Sequence, residues 1–205
     1  MKRFILLLIC VAALRFVRNS ILISDDVIYD SLSDQLSHER IIQLLDRGKK
    51  WEWLSYCFLP FLLLIKILFV AACLSIGALF LRTEAGFQKF LKIATTAEFV
   101  FLIPPFISLC WFAFVNTQYT LQDLKFFSPL SMINFFSHFE LEPWLVYPIQ
   151  LLNVFELLYW AVLAWQLQEV LKKSFPESLG FVMKTYGVGL TVWVVVVMFL
   201  TVSLT

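Results

Sequence analysis

Charged residues are scarce in this sequence. Asp, Glu, Lys and Arg make up 15% of the 205 residues, and the formal net charge is +1. A soluble domain usually has about a quarter of its residues charged, and a nucleic-acid-binding surface needs a clear basic excess. The shortage of charge therefore argues against a soluble globular domain. The near-neutral balance argues against nucleic acid as a partner.

Residues that carry out catalysis or bind metals are also rare. The two histidines, His38 and His138, lie outside the apolar stretches, and the sequence contains no HExxH motif, P-loop or Gly-rich nucleotide fingerprint. The apolar stretches contain no Asp, which excludes an intramembrane aspartyl pair. We therefore expect no enzymatic activity, no cofactor and no metal site, and keep an unrecognised membrane enzyme as a third alternative.

Cysteines are few and do not form a pattern. Each of the four lies inside an apolar stretch, and no CxxC spacing occurs. A metal site or a disulfide framework needs paired cysteines in polar surroundings. We expect these residues to act as small apolar packing groups.

Apolar residues, by contrast, are abundant. They make up 60% of the chain, which has a mean hydropathy of +0.83 and 22 phenylalanines. A helix that crosses a bilayer needs about 20 predominantly apolar residues. The sequence predicts one all-α membrane domain over residues 1–205, a polytopic transmembrane helical bundle with about five spans. The predicted spans are residues 4–23, 54–81, 97–115, 144–167 and 179–203.

The first of these spans has two possible structures because it contains Arg15 and Arg18. It can cross the membrane while its arginines snorkel or pair, or it can lie along the membrane surface. Its basic start resembles a signal peptide, but no A-x-A-like cleavage site follows. We favour a spanning helix, because a central arginine costs only about 2.5–3.5 kcal/mol on insertion scales and the flanking apolar residues offset that cost.

The basic residues predict the orientation of the spans, because Lys and Arg are enriched in cytoplasmic loops. A cytoplasmic N-terminus places seven basic residues inside: Lys2, Arg3, Arg82, Lys89, Lys92, Lys172 and Lys173. Five then lie outside: Arg40, Arg47, Lys49, Lys50 and Lys125. We therefore predict a multi-pass integral membrane protein, of the bacterial inner membrane, with its N-terminus in the cytoplasm.

Three features interrupt the apolar pattern. Residues 25–53 form a polar loop that ends in a helical pattern, and residues 126–136 are apolar but too short and broken to span. The latter segment is expected to lie at the interface or to re-enter between helices. The Pro104-Pro105 pair should kink the third span, because proline removes a helix donor.

Polar residues within the predicted spans are the candidate functional residues, since ionisable groups in a membrane are costly. Lys66 and Glu156 both lie near mid-depth, and their opposite charges predict that they face each other. Gln150, Asn153 and Glu156, spaced by three, predict a polar stripe along one helix. The stripe is expected to hold helices together by hydrogen bonds, with a proton, ion or polar-substrate path as the alternative.

Two other charged residues, Glu98 and Lys184, lie near predicted span ends. Each can reach the interface by snorkelling, so we expect both to be solvated.

The layout from residue 54 onward resembles the Yip1-type family of five-span membrane proteins. The likeness rests on Gly77-Ala78-Leu79-Phe80, Gly86-Phe87-Gln88-Lys89-Phe90-Leu91-Lys92, Ala97 with Pro104-Pro105, Ser128-Pro129-Leu130-Ser131 and Leu152-Asn153-Val154-Phe155-Glu156-Leu157-Leu158-Tyr159-Trp160. The resemblance implies a cytosolic N-terminus, five spans and no known enzymatic activity. Eukaryotic members bind small GTPases through a long cytosolic N-terminal region, which has no counterpart here, so GTPase binding is not expected.

These observations favour a non-enzymatic scaffold or assembly protein that affects membrane organisation. Its expected partners are the lipid bilayer and another membrane protein or a second copy of itself. The alternative is a small transporter, channel or transporter subunit that uses the region of Lys66 and Glu156. A water-lined cavity at either residue favours transport, whereas a packed core with an exposed apolar groove favours a partner.

Overall fold

The computed structural model describes residues 2–33, 36–136 and 141–204, and these residues are predominantly helical. In chain order, the first α-helices are α1 (Lys2–Leu22), α2 (Asp25–Leu32), α3 (His38–Phe80), α4 (Phe87–Ala97), α5 (Ile103–Phe114) and α6 (Leu121–Phe126). The later ones are α7 (Pro143–Leu151), α8 (Val154–Leu171), α9 (Phe175–Val182) and α10 (Val188–Leu204). The all-α fold class is confirmed.

Four helical stretches within the described residues are long and apolar enough to cross a membrane. They are Lys2–Leu22, His38–Phe80, Phe87–Phe114 and Phe175–Leu204. Their outward faces carry large apolar side chains, such as Leu62, Ile65 and Phe199, that are more than half exposed. Lipid covers such faces in a membrane protein, so the architecture is that of a multi-pass integral membrane protein.

The N-terminal helix α1 lies within the bundle and runs parallel to the stretch Phe87–Phe114. Near its start, Arg3 donates a hydrogen bond of 2.9 Å to Thr96, and at its end the Leu22 carbonyl accepts one from Tyr119. Leu7 and Leu22 are buried. A helix aligned in this way with spanning helices supports the spanning alternative over the surface one.

Helix α3 extends through much of the segment predicted as a polar loop. It begins at His38 and continues unbroken through Pro60 to Phe80, a length of about 64 Å. Its polar first part is held by α2, where Asp25 forms an ion pair of 2.6 Å with Lys49. Residues 38–53 of the predicted polar loop are therefore part of one continuous helix with the second span.

The third span begins ten residues earlier than predicted and changes helix type in its middle. Helix α4 starts at Phe87, a 3₁₀ segment covers Glu98–Leu102, and α5 restarts at Ile103 with the two prolines in its first turn. Proline fits the first turn of a helix, whose N–H groups lack intrahelical acceptors, but not its interior. The helix type therefore changes just before Pro104-Pro105, where the sequence predicts a kink.

The single helix predicted for residues 144–167 is wrong, because α7 ends at Leu151 and α8 begins at Val154. Asn153 starts the second helix by accepting a hydrogen bond from the Glu156 N–H, which is the usual role of Asn at a helix N-cap. Both halves nevertheless pack along the last spanning stretch. Trp193 donates to Tyr147 of α7, and Tyr186 donates to Glu156 of α8.

The segment predicted to be interfacial or re-entrant packs against this break. Ser131 and Asn153 form an isolated antiparallel bridge, in which the Met132 N–H donates to the Leu152 carbonyl. The Ser131 hydroxyl also lies within hydrogen-bond distance of the Ile149 and Gln150 carbonyls. Backbone groups released by a helix break in hydrocarbon must find such partners.

Candidate functional site

The candidate site lies where α3, α4, α8 and the last spanning stretch meet. Apolar residues such as Ile67, Ala94 and Leu163 are fully or almost fully buried there. Within this core two carboxyl groups are also buried: Glu98 is 3% exposed and Glu156 is 6% exposed. Such groups are costly inside a membrane and need specific partners.

Glu98 pairs with Lys66 across the hairpin formed by α3 and α4. Lys66 Nζ lies 2.6 Å from Glu98 Oε1, and it also lies 3.6 Å from the centre of the Phe101 ring. The ammonium group is therefore held by a carboxylate on one side and an aromatic face on the other. The second oxygen of Glu98 has no hydrogen-bond partner in the described part of the chain.

The predicted pairing of Lys66 with Glu156 is wrong, and so is the expectation that Glu98 is solvated. Both errors come from the boundary of the third span. The helix begins at Phe87 and not near Ala97, so Glu98 lies about 17 Å beyond the turn. Lys66 lies about 21 Å before the same turn, which brings the two side chains to the same level.

Glu156 is held by two donors from its own helix and the last one. Its Oε1 accepts hydrogen bonds from Trp160 Nε1 at 2.8 Å and from the Tyr186 hydroxyl at 2.9 Å. Tyr186 belongs to a π-helical turn, Met183–Gly187, between α9 and α10. Such turns often occur at functional sites. Both of these hydrogen bonds go to the same oxygen, Oε1.

Aromatic rings connect the two carboxyl groups. Tyr159 is fully buried between Phe101, 4.8 Å away between ring centres, and Tyr186, 5.5 Å away. Phe101 contacts Lys66 and Tyr186 binds Glu156. The Tyr159 hydroxyl has no partner among the described residues. A continuous chain of polar and aromatic groups thus crosses the core.

An open groove of about 890 Å³ lies beside Glu156, at the break between α7 and α8. Its polar lining residues are Ser131, Asn134, Asn153, Glu156 and Thr191. The rest of the lining is mostly apolar, from both sides of the break and from Leu190, Val194 and Val195 of α10. The groove therefore presents one carboxyl group within an apolar surface.

The predicted stripe of Gln150, Asn153 and Glu156 is a cluster around the break and not one face of a continuous helix. The Gln150 carbonyl accepts a hydrogen bond from the Asn153 side chain at 2.9 Å, and Asn153 caps the helix that carries Glu156. The spacing of three indicated proximity correctly, because an N-cap residue bonds the N–H three positions on.

The two N-terminal arginines lie near the opposite end of α1 from its basic start. Arg15 stacks its guanidinium 5.7 Å from the Tyr56 ring centre. Arg18 lines a separate cavity of about 420 Å³ with Asn19 and Pro105. Neither belongs to the Lys66–Glu98 or Glu156 groups.

Sequence reasoning missed four members of the site: Glu98 as a partner, and Tyr159, Trp160 and Tyr186 as the groups that surround the carboxyls. A signal was present for the aromatic residues, because they lie deep within spans and not at the ends where aromatic belts occur. Of the histidines, His38 contacts Tyr29, whereas His138 lies outside the described residues. The described residues contain no group of three or more metal-ligating side chains.

Comparison of the chain with protein-family models, curated proteins and solved structures finds no match.

Proposed function

We propose that this chain is a non-enzymatic scaffold for membrane-protein assembly, of the Yip1-like type. The observation that carries this proposal is the groove at the helix break, which holds the Glu156 carboxyl within apolar walls. We assign the groove to a transmembrane helix of a partner protein that carries a Lys or Arg at mid-depth.

The position of the groove supports a helix as its occupant. Its α10 residues, Leu190–Val195 in sequence, lie about 22–30 Å along the last spanning stretch from its start at Phe175. The other end of that stretch, Leu204, lies a further 13 Å away or more. Lipid headgroups do not reach such a depth, whereas side chains of a neighbouring helix do.

The charge of the groove supports a cationic side chain. Among the described residues that surround the two carboxyl groups, Lys66 is the one ammonium group, and it is committed to Glu98. The two donors to Glu156 both bind Oε1, and a basic residue on a spanning helix needs an acidic partner. The Glu156 carboxyl and a basic residue on a partner helix therefore complement each other in charge.

The location of the basic residues supports a cytoplasmic N-terminus. Arg3 binds Thr96 near the start of α4, and Arg82 lies in the turn before that helix. Gln166 contacts the Ile93 carbonyl, which places the turn with Lys172 at the same end of the bundle. The predicted cytoplasmic cations thus share one end.

A small transporter is the second candidate. It is favoured by the chain of groups from Lys66, whose side chain is 42% exposed on one face, through Tyr159 to Glu156 on the groove. Proton and ion paths in membranes use such series of ionisable groups.

The test uses a synthetic Leu/Ala transmembrane peptide of about 23 residues with one central Lys, labelled for energy transfer to the protein in vesicles. We expect the Lys peptide to bind better than an all-apolar peptide. The variant Glu156→Gln should weaken that binding about threefold to twentyfold, the range that corresponds to interhelical polar contacts. Glu169→Gln is the matched control, because Glu169 is exposed on the same helix.

Equal binding of the two peptides, or equal binding by wild type and Glu156→Gln, contradicts the scaffold proposal. Ion or proton flux into proteoliposomes that Glu156→Gln abolishes establishes the transporter instead.

A further inference from the structure

A third cavity, of about 860 Å³, lies at the end of the bundle where α1 begins and meets α3 and α4. Its polar lining comes from Lys2, Arg3, Gln88, Lys92 and Thr95. Its lining differs in charge from that of the groove beside Glu156. Three cations line this cavity, and no acidic residue does so among those described.

The cations come from two helices that are fixed relative to each other. Arg3 Nη1 donates to the Thr96 hydroxyl at 2.9 Å, and that hydroxyl donates to the Lys92 carbonyl at 2.9 Å. The Thr96 hydroxyl therefore links the Arg3 side chain to the backbone of Lys92. Neither cation forms an ion pair with a described residue.

Helix α4 presents a distinct face to this cavity. Gln88, Leu91, Lys92 and Thr95 follow the spacing of one helical face, whereas Phe90 and Ala94 point into the core. The polar face of α4 is thus turned toward α1 and is not spread around the helix.

Apolar side chains form the remaining wall. Phe4, Leu64, Ile67 and Leu91 line the cavity, and Leu64 is 40% exposed. Phe61, which is also exposed, lies three residues before Leu64 and therefore on the same face of α3. A ligand that fits the whole surface has an anionic head and a hydrocarbon tail.

We infer that this cavity binds the phosphate of an anionic phospholipid, with Arg3, Lys92 and Lys2 holding the headgroup and Phe4 and Leu64 contacting an acyl chain. Basic pockets between spanning helices on the cytoplasmic side bind such headgroups. A free phosphate satisfies the cations but leaves the apolar wall uncovered, so the lipid is the better match.

The test is native mass spectrometry of the full-length protein in detergent, with an equimolar mixture of phosphatidylglycerol and phosphatidylcholine that have identical acyl chains. Wild type should retain phosphatidylglycerol preferentially. Lys92→Gln and Arg3→Gln should each weaken its binding about fivefold, which corresponds to about 1 kcal/mol per basic residue. Lys92→Arg should retain most of the binding, because the charge remains.

The matched control is Lys173→Gln, which removes an exposed cation from the same end of the bundle but outside the cavity. It should leave lipid retention unchanged. Arg3 and Lys92 are both exposed, so either variant tests the proposal if the other folds poorly. Size-exclusion chromatography and circular dichroism check the fold.

Three results overturn the inference. Equal retention of the two lipids shows that the cavity does not select an anionic headgroup. A loss with Lys173→Gln as large as with Lys92→Gln shows a general effect of charge. Displacement of phosphatidylglycerol by an excess of inorganic phosphate shows a site for a soluble anion.

Discussion

The Lys66–Glu98 pair is suited to a double-mutant cycle, because its two side chains come from different helices and meet at 2.6 Å. The variants are Lys66→Met, Glu98→Gln and the combination of both. Each single change removes one charge and leaves the other without its partner: Glu98 is buried, whereas the Lys66 side chain is 42% exposed. The double change removes both charges and leaves groups of similar size.

The structure predicts unequal costs for the single changes. Lys66→Met leaves the Glu98 side chain, 4% exposed, without its cation. Breaking a buried pair in this way costs about 3–5 kcal/mol. Glu98→Gln should cost less, about 1–3 kcal/mol, because Lys66 keeps its contact with the Phe101 ring.

The double variant should be destabilised by about 1–3 kcal/mol, because it contains no unpaired buried charge. The expected coupling between the two sites is then about 3–5 kcal/mol, because the costs of Glu98→Gln and of the double variant are similar and cancel. Reversible unfolding of the purified protein in mixed detergent micelles measures the free energy of unfolding for each variant. The matched cycle combines Lys66→Met with Glu156→Gln and should show weaker coupling.

Two results refute this reasoning. If Lys66→Met and Glu98→Gln add within about 0.5 kcal/mol, the two side chains do not interact in the membrane. If Lys66 couples more strongly to Glu156 than to Glu98, the pairing expected from the sequence is right and the observed one is not.

Two further predictions concern the packing of the last spanning stretch. Gly77→Ala should lower the free energy of unfolding by about 1–3 kcal/mol, because a methyl group there meets the side chain of Thr185; Gly48→Ala in the same helix meets nothing and should stabilise the protein by up to about 1 kcal/mol. Tyr186→Phe removes a donor to Glu156 and should cost about 1.5–3 kcal/mol in the same unfolding assay. A Gly77 variant as stable as the Gly48 variant, or an unchanged Tyr186 variant, contradicts these contacts.

Hydropathy predicted the membrane class and most of the long helices because burial in lipid depends on the average polarity of about 20 residues. The average hydropathy did not detect the start of α4. Gln88, Lys89 and Lys92 lower the local hydropathy, although they lie on a helix whose other face is buried. Helical periodicity, not mean hydropathy, carries the signal in such a segment.

The pairing of Lys66 failed for a different reason. Two opposite charges at equal depth can form an ion pair only if their helices are neighbours, and depth does not show which helices are neighbours. Helices joined by a short turn usually pack together, and residues 81–86 form such a turn between α3 and α4. Comparing the distances of Lys66 and Glu98 from that turn identifies the observed pair from the sequence.

The break at Asn153 lay beyond local reasoning because its stability depends on a distant segment. In hydrocarbon, a helix that stops at Leu151 exposes carbonyl groups, and each unpaired group costs several kcal/mol. Ser131 and the Met132 N–H supply those partners from a loop that the sequence places well before α7. A continuous helix would pair the same carbonyl groups internally and would not need this loop. Packing alone therefore does not explain the break. The break opens the groove beside Glu156, and natural sequences depart from locally favourable structure most often where a site is formed.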